Sequence, residues 1–161
     1  MIQIKAVALD VDGVLTDGTF LWGPAGEEFK SFSFRDIMGI SLAKKTGIVF
    51  ALISGEATPL VDRYAQKMGI ADVHKGCKDK AAALREFAAR HGIPLENVCF
   101  VGDDVNDLPA LAIAGFAAVP GDAHPKVKSE ADYVAQATGG HGAVREILDY
   151  VMAGETIAKE N

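Results

Sequence analysis

Four times along the chain, a segment with helical spacing of apolar residues reaches a glycine and passes into a short apolar run. The four are KKTGIVFALIS (44–54), QKMGIADVH (66–74), RHGIPLENVCFVG (90–102) and IAGFAAVP (113–120). An earlier apolar run begins VALDVDGVLTD (7–17). Glycine just past a helix is the usual left-handed cap. Continuous rather than alternating apolar residues mark strands buried on both faces. Within the helical segments, Leu60, Val61, Tyr64, Ala65 and Met68 share one face, as do Ala81, Leu84, Phe87 and Ala88. The alternation predicts an α/β fold: a doubly wound, three-layer parallel sheet with right-handed crossovers and helices on both faces.

Residues 18–33, GTFLWGPAGEEFKSFS, break this rhythm. Two β-prone arms, Thr19–Trp22 and Glu28–Ser33, flank a GPAG turn, which predicts a β-hairpin directly after the first strand. Its Phe20, Trp22, Phe29 and Phe32 want burial, and a second subunit is one place to find it. No long insertion follows here or after the second strand, so no cap domain is expected. The pattern predicts a single domain over 1–153 and a loose polar tail, GETIAKEN, over 154–161.

Composition narrows the function classes. With 161 residues, 49% of them hydrophobic and 24% charged, the chain can build a real core. A net charge of −6 and the lack of a basic stripe argue against nucleic acid. No apolar run approaches the roughly 20 residues of a membrane span. The first residues lack the pattern of a secretory signal, so a cytoplasmic protein is expected. Cys77 and Cys99 have no metal-ligand spacing and read as a loop and a core residue.

Carboxylates cannot be buried cheaply in a sheet, yet the first run ends on Asp10, Asp12 and Asp17 around Gly13. Ligands of doubly wound sheets bind beyond the carboxyl ends of the strands, where Asp10 and Asp12 would sit. Other strand ends add to them. ALISGE (51–56) ends on Ser54 and Gly55, GCKDKAAAL (76–84) opens a helix with Lys78 and Lys80, and VCFVGDDVND (98–107) supplies Asp103, Asp104 and Asp107. Side by side, these ends provide carboxylates, a hydroxyl, a free backbone amide and an ammonium. That set fits phosphoryl transfer through an aspartyl-phosphate, with Mg²⁺ on oxygen ligands. Each residue has a plainer reading. Asp104 and Asp107 could be helix N-caps, Ser54 a turn former, and Lys80 a surface charge, although a lysine at a helix N-terminus opposes the dipole.

DVDGVLTD, SG, K and GDDVND, in that order, resemble the haloacid dehalogenase superfamily of phosphotransferases over nearly the whole chain. The resemblance implies Asp10 as nucleophile, and Asp12 as general acid and then base. It implies Mg²⁺ on Asp10, the carbonyl of Asp12, and Asp103. Ser54, Gly55 and Lys80 would hold the phosphoryl group, and Asp104 and Asp107 would orient ligands.

The short hairpin, with FSFRDIMGI (32–40) and GGHGAVREIL (139–148), further resembles the cap-less branch that includes KDO 8-phosphate phosphatases. That branch implies a homotetramer in which the hairpin, and possibly the C-terminal segment, covers a neighbouring site. It also implies a substrate that is a 2-keto-3-deoxy sugar acid phosphate. Arg145 and the preceding glycines are candidates for binding the substrate carboxylate, and Thr16 for a further substrate contact. Where the branch commonly has arginine after the SG pair, this chain has Glu56. Glu56 with Lys67 resembles relatives acting on KDN 9-phosphate, though two unrelated surface charges would look the same. Two other classes compete. A phosphorelay receiver would carry its phospho-acceptor on the third strand, which here ends on His74. A non-catalytic oligomerisation domain would not need both Asp10 and Asp12.

Overall fold

The computed structural model describes residues 2–154. Most of the expected tail, 155–161, lies outside the described residues. Six parallel strands form one sheet in the order β5-β4-β1-β6-β7-β8. They are β1 (Ala6–Leu9), β4 (Val49–Ile53), β5 (Asp72–His74), β6 (Val98–Val101), β7 (Phe116–Val119) and β8 (Tyr133–Val134). The helices are α1 (Phe34–Lys45), α2 (Pro59–Met68), α3 (Lys80–Arg90), α4 (Leu108–Ile113), α5 (Pro125–Lys128) and α6 (Ala143–Met152).

Strand residues alternate between two cores, as a pleated sheet requires. Val7, Leu9, Phe50, Leu52, Cys99 and Val101 meet buried residues of α1, α2 and α6. Ala6, Ala8, Ala51, Ile53, Val98 and Phe100 meet those of α3, α4 and α5. The sheet is therefore buried on both faces, and the three-layer α/β expectation is met. All of β1 is fully buried at the centre, which fixes the height at which Asp10 leaves the sheet.

The hairpin exists but is shorter than its sequence arms. Its strands are β2 (Leu21–Trp22) and β3 (Glu28–Phe29), paired antiparallel. Phe20, Leu21, Trp22 and Phe29 are exposed. Phe32 is not, because it stacks on Tyr64 with ring centroids 4.5 Å apart and packs against the core. No cap domain is present among the described residues.

One glycine differs from expectation. Gly47, Gly69 and Gly92 adopt the left-handed conformation that follows a helix, but Gly115 does not. A Cβ at Gly115 would lie 2.0 Å from the Glu96 carbonyl oxygen, so this glycine serves close backbone approach.

Candidate active site

β1, β4 and β6 are neighbours, so their carboxyl ends open into one cleft of about 670 Å³. Asp10, Asp12, Gly55, Glu56, Lys80, Asp103 and Asp104 line it. The hairpin supplies another wall through Phe20, Trp22, Glu28 and Lys30.

The loop after β1 is self-braced. Val14, Leu15 and Thr16 donate backbone N–H groups to the Val11 carbonyl. The Thr16 hydroxyl accepts from the N–H groups of Gly13 and Gly18, each at 3.2 Å. Thr16 is fully buried, and its hydroxyl braces the loop in this structure. Asp17 accepts from the backbone and hydroxyl of Thr19, an Asx-type turn that launches the hairpin.

Gly13 has a φ of +81°, and a Cβ there would sit 1.9 Å from Asp103 Oδ2. The missing side chain is the space that Asp103 fills. Carboxylate oxygens of Asp10, Asp103 and Asp107 all lie within 4.8 Å of one another. Such crowding without a cation is costly. Burial, and then the neighbouring Asp107 carboxylate, push Asp103 up to about 7. Burial first and Asp107 next raise Asp10 well above the usual carboxylate range, against the pull of Lys80. Hard oxygen donors crowded in this way fit a divalent cation such as Mg²⁺.

Asp107 is fully buried, and its oxygens are engaged by the chain itself. Oδ1 accepts from Lys80 Nζ at 2.7 Å, and Oδ2 from the N–H groups of Asp103 and Asp104 at 2.8 and 3.3 Å. It therefore holds the Asp103 loop and the lysine rather than facing the cleft. Asp104 caps the turn through the Val105 N–H. Lys80 is the first residue of α3, 3% exposed, with Nζ 3.1 Å from Asp10 Oδ2. The unfavourable dipole position is offset by two carboxylates.

Ser54 is buried, and its hydroxyl accepts from the Glu56 N–H, so Gly55 rather than Ser54 lines the cleft. Glu56 reaches the cleft but Lys67 does not. Lys67 lines a separate groove of about 600 Å³ between hairpin, α1 and α2, with Nζ 5.9 Å above the Phe34 ring. The expected pair is thus divided within one chain. Arg145 also lies outside the cleft lining, with Nε on Asp149 and its backbone against Gly39. The glycines before it serve packing. A Cβ at Gly139 would meet the Gly13 carbonyl at 2.0 Å, and the Gly140 N–H donates to the Val14 carbonyl. Within one chain, this segment therefore packs on the loop after β1 and lies outside the cleft lining.

Lys30 and Asn106 were missed in the sequence reading, although both line the cleft. Lys30 Nζ lies 2.6 Å from Asp12 Oδ1, and its side chain is 2% exposed. The Lys30 signal was available only as a cation in the returning hairpin arm.

The haloacid dehalogenase-like hydrolase model matches residues 56–147. The chain is 39% identical over 153 residues to 3-deoxy-D-manno-octulosonate 8-phosphate phosphatase of Escherichia coli (strain K12), covering 95% of this chain and 81% of that one. The Moraxella catarrhalis enzyme of that name, solved with magnesium, phosphate and KDO, aligns with a TM-score of 0.90 at 37% identity, over 93% of this chain and 86% of that one. The cobalt-bound Haemophilus influenzae deoxy-D-mannose-octulosonate 8-phosphate phosphatase aligns with a TM-score of 0.91 at 37% identity, over 94% and 88% of the two chains. With the acidic cleft at the ends of β1 and β6 and a model match across most of its length, the chain belongs to the haloacid dehalogenase-like hydrolase family.

Proposed function

We propose that this protein is a Mg²⁺-dependent phosphatase that hydrolyses the phosphate monoester of a 2-keto-3-deoxy sugar acid. KDO 8-phosphate is the substrate to which the named relatives point. One observation carries the reading: Asp10, Asp12, Asp103 and Lys80 converge on a single cleft, walled by a hairpin instead of a cap. So acidic a cleft would repel a phosphate dianion without a metal. Asp10, Asp103 and the Asp12 carbonyl would hold Mg²⁺, which when bound offsets charge between phosphate and carboxylate.

Asp10 attacks phosphorus, and the bond to the sugar oxygen breaks as the aspartyl-phosphate forms. Asp12 gives its proton to the departing alkoxide. It then takes one from the water that attacks phosphorus, releasing phosphate and restoring Asp10. Lys80 balances charge on Asp10 and the phosphoryl oxygens. The Gly55 N–H and the Ser54 hydroxyl would be the neutral donors to the phosphoryl oxygens at the β4 end. Asp107 keeps Lys80 and the Asp103 backbone in place.

Glu56 in the cleft supports a second reading, KDN 9-phosphate, because a carboxylate accepts bonds from the hydroxyls of a longer sugar. The exposed hairpin aromatics support a homotetramer in which each hairpin covers a neighbour's site. Steady-state kinetics test the substrate. Both sugar acid phosphates are expected to exceed a hexose phosphate lacking a carboxylate by at least about tenfold in kcat/KM. The ratio between the two then assigns sugar length. Equal turnover of all three esters would remove the sugar-acid reading and leave the phosphatase.

Magnesium binding measured by calorimetry without substrate is expected to weaken about tenfold per unit as pH falls below about 7, where Asp103 takes up a proton that the metal must displace. Affinity that ignored pH across this range would show that Asp103 is ionised throughout it, contrary to its crowding with Asp107.

A further inference from the structure

Lys30 has no role in the chemistry above, yet its ammonium lies 2.6 Å from the carboxyl group that must move protons. We propose that Lys30 is a positioning residue: it binds Oδ1 of Asp12 and so turns Oδ2 towards the leaving oxygen as the atom that carries the catalytic proton. The proposal rests on the phosphatase reading and deepens it.

The geometry is specific to this fold. The Asp12 side chain is 32% exposed, so by itself it can sample more than one rotamer. Among the described residues, Lys30 is the only side chain bonded to it, and Oδ2 has no partner. The Lys30 side chain is almost wholly buried, which sets this pair apart from surface ion pairs of small effect. The residue directly follows β3, two residues after Glu28 pairs with Trp22. A hairpin with two-residue strands is marginal alone, and this ion pair ties it to the loop after β1. The hairpin therefore walls the cleft and also aims the acid.

Protons and electrons balance without a further reactant. As the Asp10 oxygen bonds to phosphorus and the ester P–O bond breaks, the Oδ2 proton passes to the leaving oxygen. Asp12 remains as a carboxylate still bonded to Lys30, ready to accept a proton from water.

A misaimed acid matters most when the leaving group is a strong base. Lys30→Met is therefore expected to lower kcat by about 100-fold or more on an alkyl phosphate such as glycerol phosphate. On para-nitrophenyl phosphate, whose leaving group departs with little help, the loss should be less than about tenfold. Lys30→Arg, which retains a cationic donor, should recover much of the alkyl activity, a rescue that also shows the loss is not a folding defect. Equal losses on the two esters, or no loss on either, would overturn the proposal. A wild-type enzyme inactive on KDO 8-phosphate and KDN 9-phosphate as well as on both esters would instead remove the phosphatase reading, and the proposal with it.

Discussion

Asp10→Asn is expected to lower kcat on every phosphate ester by more than about 10⁴-fold, the scale on which loss of a nucleophile falls. It should also make the metal-free protein more stable. An amide oxygen at position 10 cannot form the acyl phosphate, so no leaving group rescues the variant. The stability gain follows from the crowding of Asp10 with Asp103 and Asp107. Burial, then Asp107, hold the Asp10 carboxyl well above its ordinary range, which means ionisation costs more in the fold than in the unfolded chain. For an acid shifted upwards, stability is highest while both states are protonated and declines as pH rises past the unfolded value of about 4. Asparagine removes that decline because it carries no charge to repel Asp103 and Asp107. Calorimetry in chelator at neutral pH should show a higher Tm, by about 2–4 °C for each kcal/mol of relief. Retained turnover would end the covalent mechanism. A lower Tm would mean that the pairing of Asp10 with Lys80 outweighs the repulsion.

Lys80→Met is expected to cost about 3–5 kcal/mol in stability, as removing one partner of a buried pair does, and to abolish phosphate release. Its ammonium is 2.7 Å from Asp107 Oδ1 and 3.1 Å from Asp10 Oδ2, and the residue is 3% exposed. Burial alone would depress this lysine, but the carboxylates of Asp10 and Asp107 outweigh it and raise the group above its ordinary value. Its pairing therefore stabilises the fold fully below about pH 10.5 and is lost only as pH climbs through the raised folded value. Without it, crowded carboxylates face one another unpaired. Denaturant titrations should show the deficit in full at pH 8 and a smaller one below about pH 7, where Asp103 takes up a proton and the crowding eases. Bound Mg²⁺ should restore part of the loss by acting as the missing positive charge. Wild-type stability in this variant would show that Asp107 and Asp10 tolerate each other without Lys80, and would remove its structural role.

The acidic ends of β1 and β6 were readable from the sequence because their information is local. An apolar run ending on Asp10 marks both a strand and the place where it meets water. DVDGVLTD sets its turn through Gly13, and in GDDVND the bare Gly102 leaves room for the Asp107 side chain on the far side of the turn. The two motifs meet because continuous apolar runs separated by helical segments can only pack as a sheet buried on both faces. Lys80 was legible for a related reason: a cation at a helix N-terminus is unfavourable unless something nearby compensates.

What the sequence did not reveal depended on distance through space. Lys67 and Glu56 stand eleven positions apart in sequence, but α2 carries Lys67 away to the groove beside Phe34 while Glu56 stays at the β4 end. Thr16 belongs to the catalytic motif, yet the loop turns its hydroxyl inwards to Gly13 and Gly18. The GGHG segment reads as a ligand loop because glycine frees the backbone; here its glycines are needed where two loops touch. Phe32 resembled its exposed neighbours until Tyr64 supplied a stacking surface.

By itself the sequence determined the strand and helix alternation, the parallel sheet and the acids at its carboxyl end, since periodicity and turn chemistry act over a few residues. Only the tertiary structure decided which polar groups face the cleft and which serve the frame. A hairpin lysine on Asp12 and a glycine making room for Asp103 are facts of packing between segments, and packing is set by the whole chain at once.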